Sequence, residues 1–348
     1  MAQRERVGEI GLLGLLLEEL ETWAEAEGAS RYRGRQVFAW LHKKRIYNID
    51  KMTDLPRPLV ERLEALSPLL PASLEKTFES RDGTRKLLIR FPDGRAVETV
   101  VMVEAAGKVS VCVSTQVGCP VRCVFCRSGS KGLVRNLSAE EIVSQLYLAL
   151  TALRPEETLT GVVFMGSGEP LLNLEATVRA LKLMTHPSGL KLSHRKVTVS
   201  TVGIPARISE LARSMDHRVS LAVSLHAPDD ATRSRLVPGV RAPIRSILAA
   251  LRTFPVAPGR KIMFEYVLVK GINDSPAHAE SLARLLKGLP AKVNLLPLNP
   301  HDATDLQPPE TEIADRFQQA LMERGILTFQ RRKRGDDQLA ACGQLLSW

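Results

Sequence analysis

The 348-residue chain predicts an α/β fold built as a partial, open (β/α)6 barrel, with a small helical unit and a short β segment ahead of it. Three observations predict it. From Val109 onward, strand-like and helix-like runs alternate about six times and close on a strand, the pattern of parallel strands joined by helical crossovers. The first ~70 residues carry apolar side chains at helical spacing. Between the two, strand-like runs are separated by Asp-Gly turns. The expected divisions are 1–70, 71–104 and 105–348.

In the first division one helix carries Leu16, Leu20 and Trp23, a second Val37, Phe38 and Leu41, and a third follows Pro56 with Leu59, Leu63 and Leu66. The second is strongly basic. Arg31, Arg33, Arg35, Lys43, Lys44 and Arg45 run with no acid from Arg31 to Ile49, interleaved with Tyr32, Phe38, Trp40 and Tyr47. Such a run is either a solvated face or a nucleic-acid contact. Strands are expected over 75–80 and 85–91 about the turn Arg81-Asp82-Gly83-Thr84, then over 96–103 after Pro92-Asp93-Gly94, and over 109–114. A helix over 138–152 opens with Ser138 and Glu141 at capping-box spacing. Strands over 161–164, 196–200, 219–224, 261–269, 292–298 and 326–330 then alternate with helices over 174–185, 205–214, 243–254, 276–288 and 310–324.

No apolar run reaches the roughly 18 residues of a membrane helix. The leucine-rich start, 10–20, is broken by Glu18 and Glu19 and lacks a small-residue cleavage site, so it reads as an amphipathic helix and not a signal peptide. Few cysteines, clustered as a ligand motif, suit a reducing, cytoplasmic setting without a membrane partner. The net charge of +10 points to a polyanion, with RNA or DNA ahead of an anionic membrane, or else to a merely basic surface.

Cys119, Cys123 and Cys126 stand in C-x3-C-x2-C spacing. Three thiolates can hold three irons of a [4Fe–4S] cluster and leave the fourth open. An open iron can chelate the amino and carboxylate groups of S-adenosyl-L-methionine (SAM) and cleave it reductively to a radical. The rival reading is a structural zinc site completed by Cys112, for which the spacing is unusual. In a parallel barrel, function gathers at the C-terminal strand ends. There fall Gly166-Ser167-Gly168-Glu169-Pro170, Ser200 and Thr201, Ser224-Leu225-His226, and Asn299-Pro300. Glycines allow close backbone approach, and Glu169 can accept hydrogen bonds from an ammonium. Cys342 lies among small residues near the C-terminus. That is a flexible setting suited to a thiol that reaches the cluster, with a buried structural cysteine as the plain alternative. Spacing leaves open whether Cys112 and Cys342 meet.

These motifs closely resemble those of the RlmN family of radical-SAM RNA adenine methyltransferases, whose near relative is the Cfr family. The resemblance runs through Tyr32-Arg33-Gly34-Arg35-Gln36-Val37, Met52-Thr53-Asp54, Asp82-Gly83-Thr84 and Val97-Glu98-Thr99-Val100. It continues through the runs 112–119, 168–173, 224–228, 294–300, 334–337 and 340–345. It implies a radical-SAM barrel in which Cys119, Cys123 and Cys126 bind the [4Fe–4S] cluster, and in which Gly168, Glu169, Ser200, Ser224, Leu225, His226 and Asn299 line the SAM site. It further implies that Cys342 takes a methyl group from one SAM and that a second SAM yields the 5′-deoxyadenosyl radical, two SAM per turnover. The resulting methylene radical would add to an adenine ring carbon. Cys112 would resolve the protein–RNA crosslink through a transient Cys112–Cys342 disulfide, and Glu98 would act as proton acceptor. Such a carbon is not nucleophilic, so a polar methyl transfer would fail where a carbon radical can add.

The substrates so implied are 23S rRNA and tRNA, methylated at carbon 2 of adenosine. The expected electron donor is a flavodoxin or ferredoxin, and the expected assembly a cytoplasmic monomer. The helical unit and Arg331-Arg332-Lys333-Arg334 would grip RNA phosphates. Carbon-8 methylation or another RNA target is the alternative within the enzyme class. A non-catalytic RNA-binding protein with a structural metal is the alternative outside it. The chain departs from the family's usual pattern at 127–131, 301–307 and 338–339.

Overall fold

The computed structural model describes residues 11–66, 68–216, 218–331 and 334–346. Its frame is a ten-stranded sheet. The strands are β1 (Ser73–Glu79), β2 (Arg85–Arg90), β3 (Ala96–Val103) and β4 (Lys108–Cys112), followed by a small hairpin of β5 (Gln116–Gly118) and β6 (Leu133–Asn136). Then come β7 (Thr158–Phe164), β8 (Val197–Thr201), β9 (Ser220–Ser224), β10 (Ile262–Leu268), β11 (Ala291–Pro297) and β12 (Leu327–Gln330). The order is β1-β2-β3-β4-β7-β8-β9-β10-β11-β12, with β5 and β6 forming their own pair. From β4 to β12 every pairing in the large sheet is parallel, and β1 to β4 pair antiparallel. The expected open barrel is therefore present. The strands of the expected β segment join the barrel's sheet: β3 bonds directly to β4, which makes the sheet continuous across 104 and 105.

Helices α1 (Leu17–Ala26), α2 (Arg31–Phe38) and α3 (Arg57–Glu64) form the first unit, and α4 (Ala139–Thr151), α5 (Leu174–Thr185), α6 (Pro205–Ser214), α7 (Asp230–Leu236), α8 (Ile244–Arg252), α9 (Pro276–Leu286) and α10 (Thr311–Glu323) flank the barrel. Local chemistry explains their starts. The Ser138 hydroxyl accepts from the Glu141 N–H at 3.2 Å and the Glu141 carboxylate accepts from the Ser138 N–H at 2.9 Å. Pro205 and Pro276 occupy first-turn positions, where a missing N–H costs nothing. β10 is buried on both faces, so it reads as a near-continuous apolar run, Ile-Met-Phe-Glu-Tyr-Val-Leu.

The predicted second helix is α-helical only to Phe38. Residues 39–44 widen into a π-helical turn that Arg45 ends in a left-handed conformation, φ 55°. α2 crosses α1 so closely that a Cβ on Gly34 would stand 2.5 Å from Glu21 Cα. That crossing spends part of the basic run: Arg31 and Arg35 both pair with Glu21, each at 2.6 Å. The stretch is free of acids in sequence and not in space. The unit docks on the barrel through a fully buried hydrogen bond of 2.8 Å between His42 Nδ1 and the Tyr147 hydroxyl on α4, within a shared apolar core. Arg332 and Lys333 of the expected C-terminal basic run lie outside the described residues. Among the described residues no helix is long and apolar enough to cross a membrane.

Candidate active site

The hairpin β5–β6 holds the three-cysteine loop. The Cys119 N–H donates to the Gly132 carbonyl at 3.0 Å, and Gly118, with φ +78°, lies so close to it that a Cβ would stand 2.0 Å from that oxygen. Cys119, Cys123 and Cys126 are half-buried against Val121, Phe125, Val202 and Leu236. Burial pushes the Cys119 thiol up to about 12, and the charges of Cys126 and Glu169 add to it. Burial likewise raises Cys123, which both other triad thiols also push upward, and Cys126. The three thus lie within electrostatic reach of one another in a dry site, where thiolates need a cationic partner. Arg233 on α7, itself buried, brings a guanidinium near Cys123. It donates to the carbonyls of Val202 and Ala242, and its Nε has no partner. Three neighbouring thiols, apolar walls and a buried arginine with one unpartnered N–H suit an anionic iron–thiolate cluster.

The zinc alternative fails on placement. Cys112 packs in a separate apolar cluster with Val100, Met102, Ala340 and Leu345.

Beside the triad, Gly168, Glu169, Ser200, Ser224, His226 and Asn299 line one cavity together with Cys126 and Cys342. The sequence-predicted rim is therefore assembled, with one exception. The Leu225 side chain is fully buried in the core and its N–H donates to the Glu265 carbonyl at 3.0 Å, so it does not face the cavity. Gly168 has φ +108°, and a Cβ there would stand 2.7 Å from Gln116 Cβ. Glu169 is 3% exposed. Its oxygens accept from the N–H groups of Leu171 at 3.0 Å and Val202 at 2.8 Å, yet burial still raises it to about 7. The hydroxyls of Ser200 and Ser224, on adjacent strands, lie 3.4 Å apart. His226 sits at φ 61° and packs edge-on to Phe125. Burial lowers it to about 3, and its Nδ1 accepts from the Val267 N–H at 3.1 Å. The ring is neutral and carries its proton on Nε2.

The C-terminal loop is anchored, against the flexible setting expected for Cys342. Asn299 Nδ2 donates to the Cys342 carbonyl at 3.0 Å, the Arg127 N–H to Gly343 at 2.7 Å, and the Ser128 hydroxyl to Leu345 at 2.7 Å. The Leu346 N–H donates to Glu98 Oε2 at 2.7 Å. Cys342 is exposed because it faces the cavity, while dense surroundings push its thiol up to about 11. Cys112, at the end of β4, is buried. Burial first, and then the neighbouring Cys342, push it up to about 12. Both thiols are free. Glu98 lies on β3, away from the cavity lining, with its other oxygen 2.9 Å from Lys86 Nζ. Two of the unusual segments meet. Arg127 pairs with Asp302 at 2.8 Å, and His301 Nε2 donates to the Phe125 carbonyl at 3.1 Å.

Sequence reasoning missed several residues here. Gln145 is fully buried on α4. It accepts from the Ser114 N–H at 2.8 Å and the Thr99 hydroxyl at 2.9 Å, and returns a bond to the Ser114 carbonyl at 3.0 Å. It thereby ties β3 to the turn after β4. Gln116 accepts from the Glu169 N–H at 2.8 Å. Glu265 lines the cavity as well, and so does Arg331, which the sequence assigns to RNA phosphates. The one signal for Gln145 and Glu265 was a polar residue inside an apolar run.

The Radical SAM superfamily model matches residues 113–283, and the ribosomal RNA large subunit methyltransferase N-terminal domain model matches residues 10–68. The dual-specificity RNA methyltransferase RlmN of Sorangium cellulosum (strain So ce56) is 44% identical over 367 residues, which cover 95% of this chain and 94% of the relative. That of Syntrophotalea carbinolica is 41% identical over 337 residues, covering 97% and 89%. The crystal structure of a radical SAM methyltransferase from Sphaerobacter thermophilus superposes with a TM-score of 0.90 at 45% identity, over 97% of this chain and 99% of that one. The chain belongs to the radical SAM superfamily and, within it, to the RlmN family of RNA methyltransferases, whose cofactors are SAM and a [4Fe–4S] cluster.

Proposed function

We propose that this protein methylates carbon 2 of adenosine in 23S rRNA and in tRNA, with Cys342 as methyl carrier and Cys112 as the thiol that releases the product. The observation that carries the reading is that Cys112 packs against Ala340 and Leu345, which flank Cys342, while Cys342 itself lines the cavity that also receives Cys126 and Glu169. When bound, the cluster and SAM supply one-electron reduction and a carbon radical. The protein's part is placement. Glu169 takes the ammonium of SAM, which offsets the burial cost of its carboxylate. The Ser200 and Ser224 hydroxyls and the Nε2–H of His226 offer polar contacts from the ends of β8 and β9. Asn299 and Ser128 fix the loop that aims Cys342. Glu98 serves as proton acceptor once it exchanges its contact with Lys86 for the substrate.

Two SAM molecules are used per turnover, the electron donor is a flavodoxin or ferredoxin, and the enzyme works as a cytoplasmic monomer. Residues 1–70 act as an accessory RNA-binding domain. With Arg31 and Arg35 paired to Glu21, its contact falls on the exposed Lys43, Lys44 and Arg45, of which Lys44 Nζ lies 3.1 Å from the Trp40 ring centre.

The test is mass spectrometry of nucleosides after anaerobic reaction of the reconstituted protein with SAM, a reductant, and unmodified rRNA or tRNA in separate vessels. 2-Methyladenosine in both supports the whole reading, and in one RNA alone removes dual specificity. 8-Methyladenosine overturns the assignment of position, and absence of any methyladenosine overturns the assignment of substrate.

A further inference from the structure

A closed barrel packs its interior with side chains. This open one does not. A cavity of about 920 Å³ occupies its lower half and opens at the N-terminal ends of the strands. The space exists because small polar residues point inward there, Ser110 on β4, Thr198 on β8 and Ser220 on β9. Met165, Glu265 and Arg331 line both this cavity and the SAM cavity above, so the two adjoin through a shared wall. The volume lies in the range of roughly 300–1,000 Å³ that encloses a small organic ligand, enough for a nucleotide and too small for a duplex.

Its charge is one-sided: seven Arg or Lys side chains line it against two carboxylates, Glu104 and Glu265. Four of the cations, Arg195, Arg218, Arg260 and Lys261, stand exposed at the mouth, with no ion pair to any of them among the described residues. The contrast with the helical unit is direct, since there Arg31 and Arg35 are engaged by Glu21. Lys292, deeper in the wall, is pushed down by burial and then by the like charge of Arg260. The mouth is thus a cluster of cations without an ion pair among the described residues, and the cavity behind it adjoins the one that Cys342 lines.

We propose that the RNA reaches Cys342 through this N-terminal mouth of the barrel, its phosphates held by Arg195, Arg218, Arg260 and Lys261 while the target nucleotide is drawn into the lumen toward Arg331. The proposal rests on the RNA-methylation reading above. Its partner is a single-stranded or looped polynucleotide that can extrude one base, because only that shape enters such a lumen. The mouth reads phosphates and leaves base recognition to the residues above it.

The test uses the full, cluster-loaded chain and a stem-loop RNA with an unpaired adenosine flanked by 4-thiouridine. Filter binding between 50 and 200 mM salt compares wild type with R195A/R218A/R260A, whose iron content and circular dichroism are checked against wild type. The expected result is at least tenfold weaker binding at low salt, with a log–log salt slope shallower by about 2 for three lost single-strand phosphate contacts. Photo-crosslinking on the unmodified wild type needs no variant and is expected to map to 193–195, 218–221 and 254–261. Wild-type affinity and slope in the triple variant, or crosslinks confined to the cysteine-loop face or to the helical unit, overturn the proposal. If the wild type methylates RNA while showing that pattern, only this route falls. If it neither methylates nor binds RNA, both readings fall.

Discussion

Glu169 shows how one side chain can be tuned by what it awaits. Its carboxyl is raised from 4.5 to about 7 by burial, although two backbone N–H groups favour the charged form. A raised carboxyl stabilises the fold below its unfolded pKa, and that contribution is lost as pH climbs from 4.5 toward 7. A bound ammonium reverses the preference. SAM affinity for the cluster-loaded protein is therefore expected to rise about tenfold per pH unit up to the neighbourhood of pH 7 and then level off. Glu169→Gln is expected to bind weakly with a flat profile. Equilibrium dialysis across pH reads both, and a flat wild-type profile would remove the ammonium role. For the cysteines, Cys342→Ala is expected to yield no methyladenosine. Cys112→Ala is expected to retain RNA in a covalent adduct that survives denaturing electrophoresis, and a clean product release in that variant would sink its resolving role. The ligand triad was legible because its spacing is unusual, and Glu169 because it follows glycines at a strand end. Arg233 was not legible. It sits in a charged seven-residue run, and only the folded chain shows that this arginine is the buried one.

At the level of elements, periodicity served well wherever burial is one-sided or complete. α6 begins and ends where the apolar spacing and Pro205 place it, and β10 and β11 lie within one residue of their apolar runs. It failed where an element is small and exposed. β6 pairs with β5 through Leu133, Arg135 and Asn136, its Leu133 and Val134 are exposed and give no alternation to read, and α7 is stabilised by the Asp229 cap at 2.8 Å and not by an apolar stripe. The α1–α2 crossing depends on Gly34 for distance, a role that spacing cannot express. Gly34→Ala would place its methyl 2.5 Å from backbone that no side-chain rotation can clear. Overpacking of this kind costs roughly 1–3 kcal/mol. The expected outcome is a lower Tm in thermal circular dichroism, and an unchanged melting profile would mean that the two helices part without cost.

For the molecule as a whole, the net charge of +10 suggested a polyanion but could not say where it binds, because charge is summed over sequence and neutralised in space. In space the fold pairs some cations and leaves others without an ion pair among the described residues. It also joins the two ends of the catalytic chain. The cysteine loop lends the Arg127 N–H and the Ser128 hydroxyl to the C-terminal loop, so each supports the other. A chain ending at Ala340 is thus expected to release iron to a chelator faster than the full chain, as followed by absorbance, and equal rates would show the loop to be a passenger at the cluster. The same contact has a consequence for biosynthesis. Cys119 to Cys126 leave the ribosome long before Cys342, and domains fold from the N-terminus as they emerge. Until the final residues appear, the triad stands uncovered on the side the C-terminal loop will close. On the proposed reading, the order of synthesis therefore places the three cluster cysteines in the nascent chain before Cys342, the proposed methyl carrier.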